Sequence, residues 1–109
     1  MGWDGRHSDY PTLLERCNFW AGLRDEKDEL IAFGYVAGTG LQHGYMEDII
    51  IHPQHQRKGI GQALVKKLLQ EAERFGLEIV TLTYDTKHKA FYTDCGFVPC
   101  FGGLWRKKD

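Results

Sequence analysis

Gln56-Arg57-Lys58-Gly59-Ile60-Gly61 follows an apolar run and opens directly into an amphipathic segment, and its residue types suit an anion. Glycine has no Cβ and lets the backbone approach a ligand closely. The first amides of a helix lack intrahelical acceptors and carry the positive end of its dipole, so a phosphate or pyrophosphate is stabilised there. Arg57 and Lys58 add positive charge at the same point. Spacing sorts the kinds of phosphate loop. A Walker loop needs Gly, four residues, then Gly-Lys-Ser/Thr, which is absent. A dinucleotide fingerprint needs G-x-G-x-x-G/A, and here Leu64 fills the sixth position, although Glu78 falls about 20 residues on. His52 and His55 are three apart but straddle Pro53, and no Cys or carboxylate nearby completes a metal set. No metal is expected.

The segment resembles the signature of the GNAT N-acetyltransferase superfamily. In that family a strand ends apolar-x-Pro, here Ile51-His52-Pro53, and Gln/Arg-x-x-Gly-x-Gly/Ala follows, here Gln56 to Gly61. Phe91-Tyr92-Thr93-Asp94-Cys95-Gly96-Phe97 resembles the family's second motif, a helical Phe-Tyr before a Gly-Phe that starts the next strand. The motifs stand in the family's order, about 35 residues apart, and the resemblance covers about residues 10 to 107. It implies the α/β acyl-CoA N-acyltransferase fold: a mixed, mostly antiparallel sheet with a central parallel strand pair, flanked by helices. It implies acetyl-CoA as co-substrate, with pyrophosphate on Gln56, Arg57, Lys58, Gly59, Ile60 and Gly61 and pantetheine along the backbone of Ile49, Ile50 and Ile51. His88 stands where members often carry an Asn that touches the cofactor.

Acetyl transfer to an amine needs a neutral amine, a stabilised carbonyl oxygen and a proton or its equivalent for the departing thiolate. Tyr92 matches the family tyrosine that acts as general acid beside the sulfur. Glu47 and then Asp48 are the candidate bases, and strand alternation predicts that they face opposite ways. Cys95 reads as packed at a helix end, since transfer in the family is direct. The acceptor stays open: the Tyr45-to-Ile49 strand resembles members acting on polyamines or glucosamine 6-phosphate, and a protein amine is a further possibility. An alternative is a non-catalytic CoA-binding sensor or subunit, and NAD binding is a third reading.

These residues need a frame to hold them, and 109 residues suffice for one domain, expected over 1–109. A formal net charge of −1 gives no global field for nucleic acid or an anionic membrane. Three cysteines without C-x-x-C spacing suit reduced thiols in the cytoplasm, and no apolar segment is long enough for a membrane span. A short helix is expected from Ser8 or Asp9, then a hairpin of 19–23 and 30–37 about the charged run 25–29, whose charges read as solvated. Strand 45–51 feeds the loop. A helix over 59–75 follows, with Ile60, Ala63, Leu64, Leu68, Ala72 and Phe75 on its buried face and Gly76 as cap. Strand 78–84 should run parallel to 45–51, because a helical crossover joins them. A helix over 87–95 and a closing hairpin of 97–101 with 104–107 end the chain. The family's usual first strand and helix have no counterpart here. The sheet edge so opened leads us to expect a homodimer.

Overall fold

LIAFGYVA, Leu30–Ala37, has apolar residues at both odd and even positions, so a strand made from it must be covered on both sides. Six of its eight residues are buried in the computed structural model, which describes residues 10–56 and 59–108, the side chains of Tyr10 and Asp48 excepted. This strand, β2, lies between β1 (Phe19–Arg24) and β3 (His43–Ile51), antiparallel to both. β4 (Ile79–Thr81) pairs parallel with β3, and the sheet order is β1-β2-β3-β4. Helix α1 (Tyr10–Arg16) precedes β1, α2 (Ile60–Phe75) crosses between β3 and β4, and α3 (Lys89–Asp94) follows β4.

The two sheet faces carry separate cores. Ala21, Ala32, Val36 and Met46 pack with Leu64, Val65, Leu68 and Ala72 of α2. On the other face Phe33, Tyr35 and Ile50 meet Leu13, Leu14 and Cys17 from α1 and the residue after it. The buried row of α2 is Leu64, Val65, Leu68 and Ala72. Ala63 is exposed and Phe75 is 46% exposed, so these two leave the expected face. Phe75 instead lies against the Phe19 ring at 5.4 Å. Gly76, at φ 96°, ends the helix: its amide donates to the Glu73 carbonyl and the Leu77 amide to the Ala72 carbonyl, a Schellman arrangement.

The charged run at the β1–β2 turn is solvated as expected, and one of its carboxylates also shapes the turn. Asp25 Oδ1 accepts from the amides of Lys27 and Glu29, each at 2.9 Å, and the Glu29 amide is the main cause that holds the Asp25 carboxyl below its ordinary pKa.

Three expectations need correction. Strand 78–84 shortens to Ile79–Thr81, because the backbone beyond Thr81 has no ladder pairing with β3 to hold it extended. The helix expected over 87–95 begins as a 3₁₀ turn, Thr86–His88, and is α-helical only over Lys89–Asp94. The closing hairpin of 97–101 with 104–107 does not form: residues 98–108 have no regular structure, and Phe97 starts no strand. Val98, Phe101, Leu104 and Trp105 are all at least 77% exposed, so no apolar contact holds that segment on the sheet. The parallel pair therefore stands at one side of the described sheet. No helix among the described residues is long and apolar enough to cross a membrane.

Candidate active site

The gap that forms the site is made by a short pairing. β3 and β4 pair only over His43–Tyr45 and Ile79–Thr81. His43 Nε2 and Thr81 Oγ1 lie 2.9 Å apart, and the Tyr45 and Thr83 hydroxyls 2.7 Å apart, so side chains fasten the closed end. Past Tyr45, β3 continues to Ile51 while residues 82–85 leave the strand conformation. The edge of Met46–Ile51 on that side has no strand neighbour among the described residues, which leaves an extended row of backbone donors and acceptors.

A bulge sets which way the β3 side chains point. Tyr35 is paired with Glu47 and Phe33 with Ile50, so two β3 residues, Asp48 and Ile49, stand opposite the single Gly34. Glu47 and Ile50 consequently share the α1 face, whereas Ile49 and Ile51 pack on the α2 side. Strict alternation does not hold here. A Cβ on Gly34 would collide with Ile49 Cδ1 and approach Leu68 Cδ1 to 3.0 Å, so the side-chain-free position opposite the bulge seats Ile49.

The loop after β3 turns through Pro53–His55, where His52 Nδ1 accepts from the Gln54 amide at 3.1 Å. Gln56 Nε2 donates to the Ile51 carbonyl at 3.3 Å and ties the loop to the strand end. Arg57 and Lys58 lie outside the described residues. Gly59 caps α2 with φ 76° and ψ 4°, a left-handed conformation that favours glycine, with open space where a Cβ would sit. Among the described residues the first intrahelical bond runs from the Ala63 amide to the Gly59 carbonyl, so the amides of Ile60, Gly61 and Gln62 are the donors of the helix start. Gly61 faces Phe91: a Cβ there would lie 3.1 Å from Phe91 Cζ. The loop glycine and the second motif are thus in direct contact.

Tyr92 is half-buried on α3 and joins the α2-side core. Its ring meets Phe91 edge-on at 4.9 Å, Phe97 edge-on at 5.9 Å and Tyr84 at 5.2 Å, which brings it to the β4 side of the gap. Burial, and then the nearby Cys95 thiol, push the Tyr92 phenol above its ordinary pKa, so it is protonated at neutral pH. Its hydroxyl makes no hydrogen bond with another described residue. The Cys95 thiol is itself pushed up, by burial first and Asp94 second, which makes it a poor nucleophile.

Glu47 is exposed, and Tyr35 Oη donates to its Oε2 at 2.9 Å. It lines an open cavity of about 420 Å³ with Thr12, Leu13, Arg16, Tyr35 and Ala37, among others. Asp48 contributes its backbone to the bulge. His88 is exposed at the start of α3, and its amide donates to the Asp85 carbonyl at 2.8 Å. Two cavity residues escaped sequence reasoning. Tyr35 lies directly across from Glu47 once β2 and β3 are in register, a signal that the strand pairing carries; Arg16 had none, being one of two adjacent charges that end a short helix. No group of three or more His, Cys, Asp or Glu among the described residues is placed to hold a metal ion.

Acetyl-CoA fits what is present. An unpaired extended edge, a helix start with free amides and a glycine cap with open space suit a pantetheine arm and a pyrophosphate.

Comparison with known proteins agrees with this geometry. The pattern of the acetyltransferase (GNAT) family matches residues 2–97. Glucosamine 6-phosphate N-acetyltransferase of Schizosaccharomyces pombe is 36% identical over 62 residues, 57% of this chain and 55% of that protein. The L-amino acid N-acyltransferase MnaT of Escherichia coli is 29% identical over 62 residues, 54% of this chain and 36% of that protein. The chain therefore spans about half the length of the first and less of the second. The crystal structure of glucosamine-6-phosphate N-acetyltransferase from Arabidopsis thaliana superposes with a TM-score of 0.79 at 17% identity, covering 100% of this chain and 83% of that one. A Trypanosoma brucei acetyltransferase gives 0.78 at 17% identity, covering 93% and 77%. At those identities the likeness is one of fold, and the family pattern over most of the chain completes it: the chain belongs to the GNAT acetyltransferase family.

Proposed function

We propose that this protein transfers an acetyl group from acetyl-CoA directly to the primary amine of a small molecule, with Tyr92 as general acid and Glu47 as general base. The observation that supports the reading is the end of the β3–β4 pairing at Tyr45 and Thr81: Glu47 lies two residues further along β3 and lines the cavity on the α1 face, and Tyr92 packs against Tyr84 of the segment that follows β4. Family relatives that act on an amino-sugar phosphate and on amino acids support a small amine as acceptor.

Bound acetyl-CoA supplies a thioester carbonyl open to attack by an amine. The amides of Ile60 and Gly61 hold the pyrophosphate with Gln56, Arg57 and Lys58, and the Ile49–Ile51 backbone aligns the extended arm. Glu47, oriented by the Tyr35 hydroxyl, takes the proton from the amine, directly or through water. Asp48 is the second candidate for this role. Tyr92 holds its proton at Oη and presents it to the developing sulfur charge; since a phenol is a weaker acid than an alkyl thiol, this works only through close placement.

The test is mass-spectrometric detection of acetylated products from acetyl-CoA and a panel of amino sugars, amino acids, polyamines and lysine peptides. An acetylated small amine is the expected result. Protection of the fold by CoA against heat with no product from any amine would instead favour a non-catalytic CoA-binding subunit.

A further inference from the structure

Resting on the amine-acetylation reading, we infer that the acceptor carries an anionic group as well as its amine, and that Arg16 is the residue that selects it. The cavity over Glu47, about 420 Å³, is of a size that holds a small metabolite. Among its described lining residues Glu47 is the one carboxylate and Arg16 the one cation; Thr12, Leu13, Cys17, Tyr35 and Ala37 contribute no charge at neutral pH. The two do not neutralise each other. Arg16 makes no ion pair and no hydrogen bond with any described residue, while Glu47 is engaged by the Tyr35 hydroxyl. The described lining, with one free guanidinium and one tethered carboxylate, is dipolar, and its complement is a ligand with a basic and an acidic end.

The chemistry of each group assigns the ends. Guanidinium stays charged at any physiological pH and presents a fork of donors that matches a carboxylate or phosphate. Glu47 borders the gap, so the amine lies there and the anion at Arg16. Arg16 also ends α1, where the helix dipole favours a cation and helps hold the guanidinium in place. A polyamine would instead set its second ammonium against an uncompensated guanidinium. The acidic turn Asp25, Glu26 and Glu29 does not reverse this preference, because those residues line a different cavity with His52 and His55.

Matched acceptors test the inference: glucosamine 6-phosphate against glucosamine, and methionine against methioninamide, each with acetyl-CoA, on the unmodified chain and on Arg16→Gln and Arg16→Lys. The anionic member of each pair is expected to have the higher kcat/KM, by on the order of 10- to 100-fold, the range of a hydrogen bond between charged groups. In Arg16→Gln that ratio collapses, chiefly through a raised KM for the anionic acceptor, and Arg16→Lys restores part of it. A ratio that is the same in all three chains overturns the inference, as does a polyamine preferred over every anionic amine. Binding of the same pairs to the CoA-loaded protein, followed by calorimetry, separates the two readings. Arg16-dependent binding of the anionic member without turnover sustains the inference and sinks the enzymatic reading; turnover of neutral and anionic members alike does the reverse; no binding and no turnover overturns both.

Discussion

Tyr92 is the residue on which the proposed chemistry most depends. General acid catalysis contributes roughly 10²- to 10⁴-fold, so Tyr92→Phe should lower kcat by at least the lower figure while the Kd for acetyl-CoA changes little, as equilibrium binding and steady-state rates will show. A tyrosine that only packed would give the opposite balance. Because burial raises the Tyr92 pKa, the alkaline loss of activity assigned to it lies above pH ~10 and is absent from the Phe variant; a loss set in both chains alike would place the titrating group elsewhere. The raised value also fixes a sign for stability. The protonated phenol is favoured in the fold, so its contribution is complete below the unfolded value of about 10 and declines as pH rises through the folded one. At this scale the positions of Tyr92 on a helix and of Gly59 at a helix start were legible because their motif neighbours identify them. The facing of Glu47 was legible only in part: an added residue in β3 changes the phase of alternation, and a bulge leaves no period to read. Tyr35, its hydrogen-bond partner, becomes visible only with the register.

At the scale of elements, α2 joins stability to the site. Leu68 is fully buried between the helix and β2, and Leu68→Ala should destabilise the fold by about 2–5 kcal/mol, read as a lowered urea midpoint. Gly59→Ala should cost about 1–2 kcal/mol through its left-handed backbone alone, with no clash to add; a variant as stable as the parent would show that the cap conformation relaxes. The helix, its C-terminal glycine and the first three strands were legible because each carries a period or a turn residue. Residues 98–108 were misread: apolar residues about Gly102-Gly103 suggest a hairpin, but a hairpin needs a strand neighbour to bury against, and β4 is only three residues long. The parallel run of β4 was foreseeable from the crossover helix, whereas its early end was not, since Leu82 and Thr83 are as suited to a strand as Val80 and Thr81.

For the whole molecule, the open edge of β4 and the four exposed apolar side chains after Phe97 lead us to expect self-association. Light scattering at tens of micromolar should give twice the monomer mass, and replacing both Phe101 and Trp105 by Ser should return the chain to a monomer. A monomer from the unmodified chain would remove that expectation. The fold class was legible in the order of strands and helices, because a crossover helix between two strands admits few arrangements.

The contact between Gly61 and Phe91 has a bearing on how such a protein can be altered. One ring touches the loop glycine on one side and Tyr92 on the other, so a single methyl at position 61 would be transmitted across Phe91 to the proposed acid. The two segments behave as one mechanical part with a shared tolerance of a few tenths of an ångström. A chimera that exchanged either segment alone would therefore be mismatched at the interface, and grafts should move them as a pair.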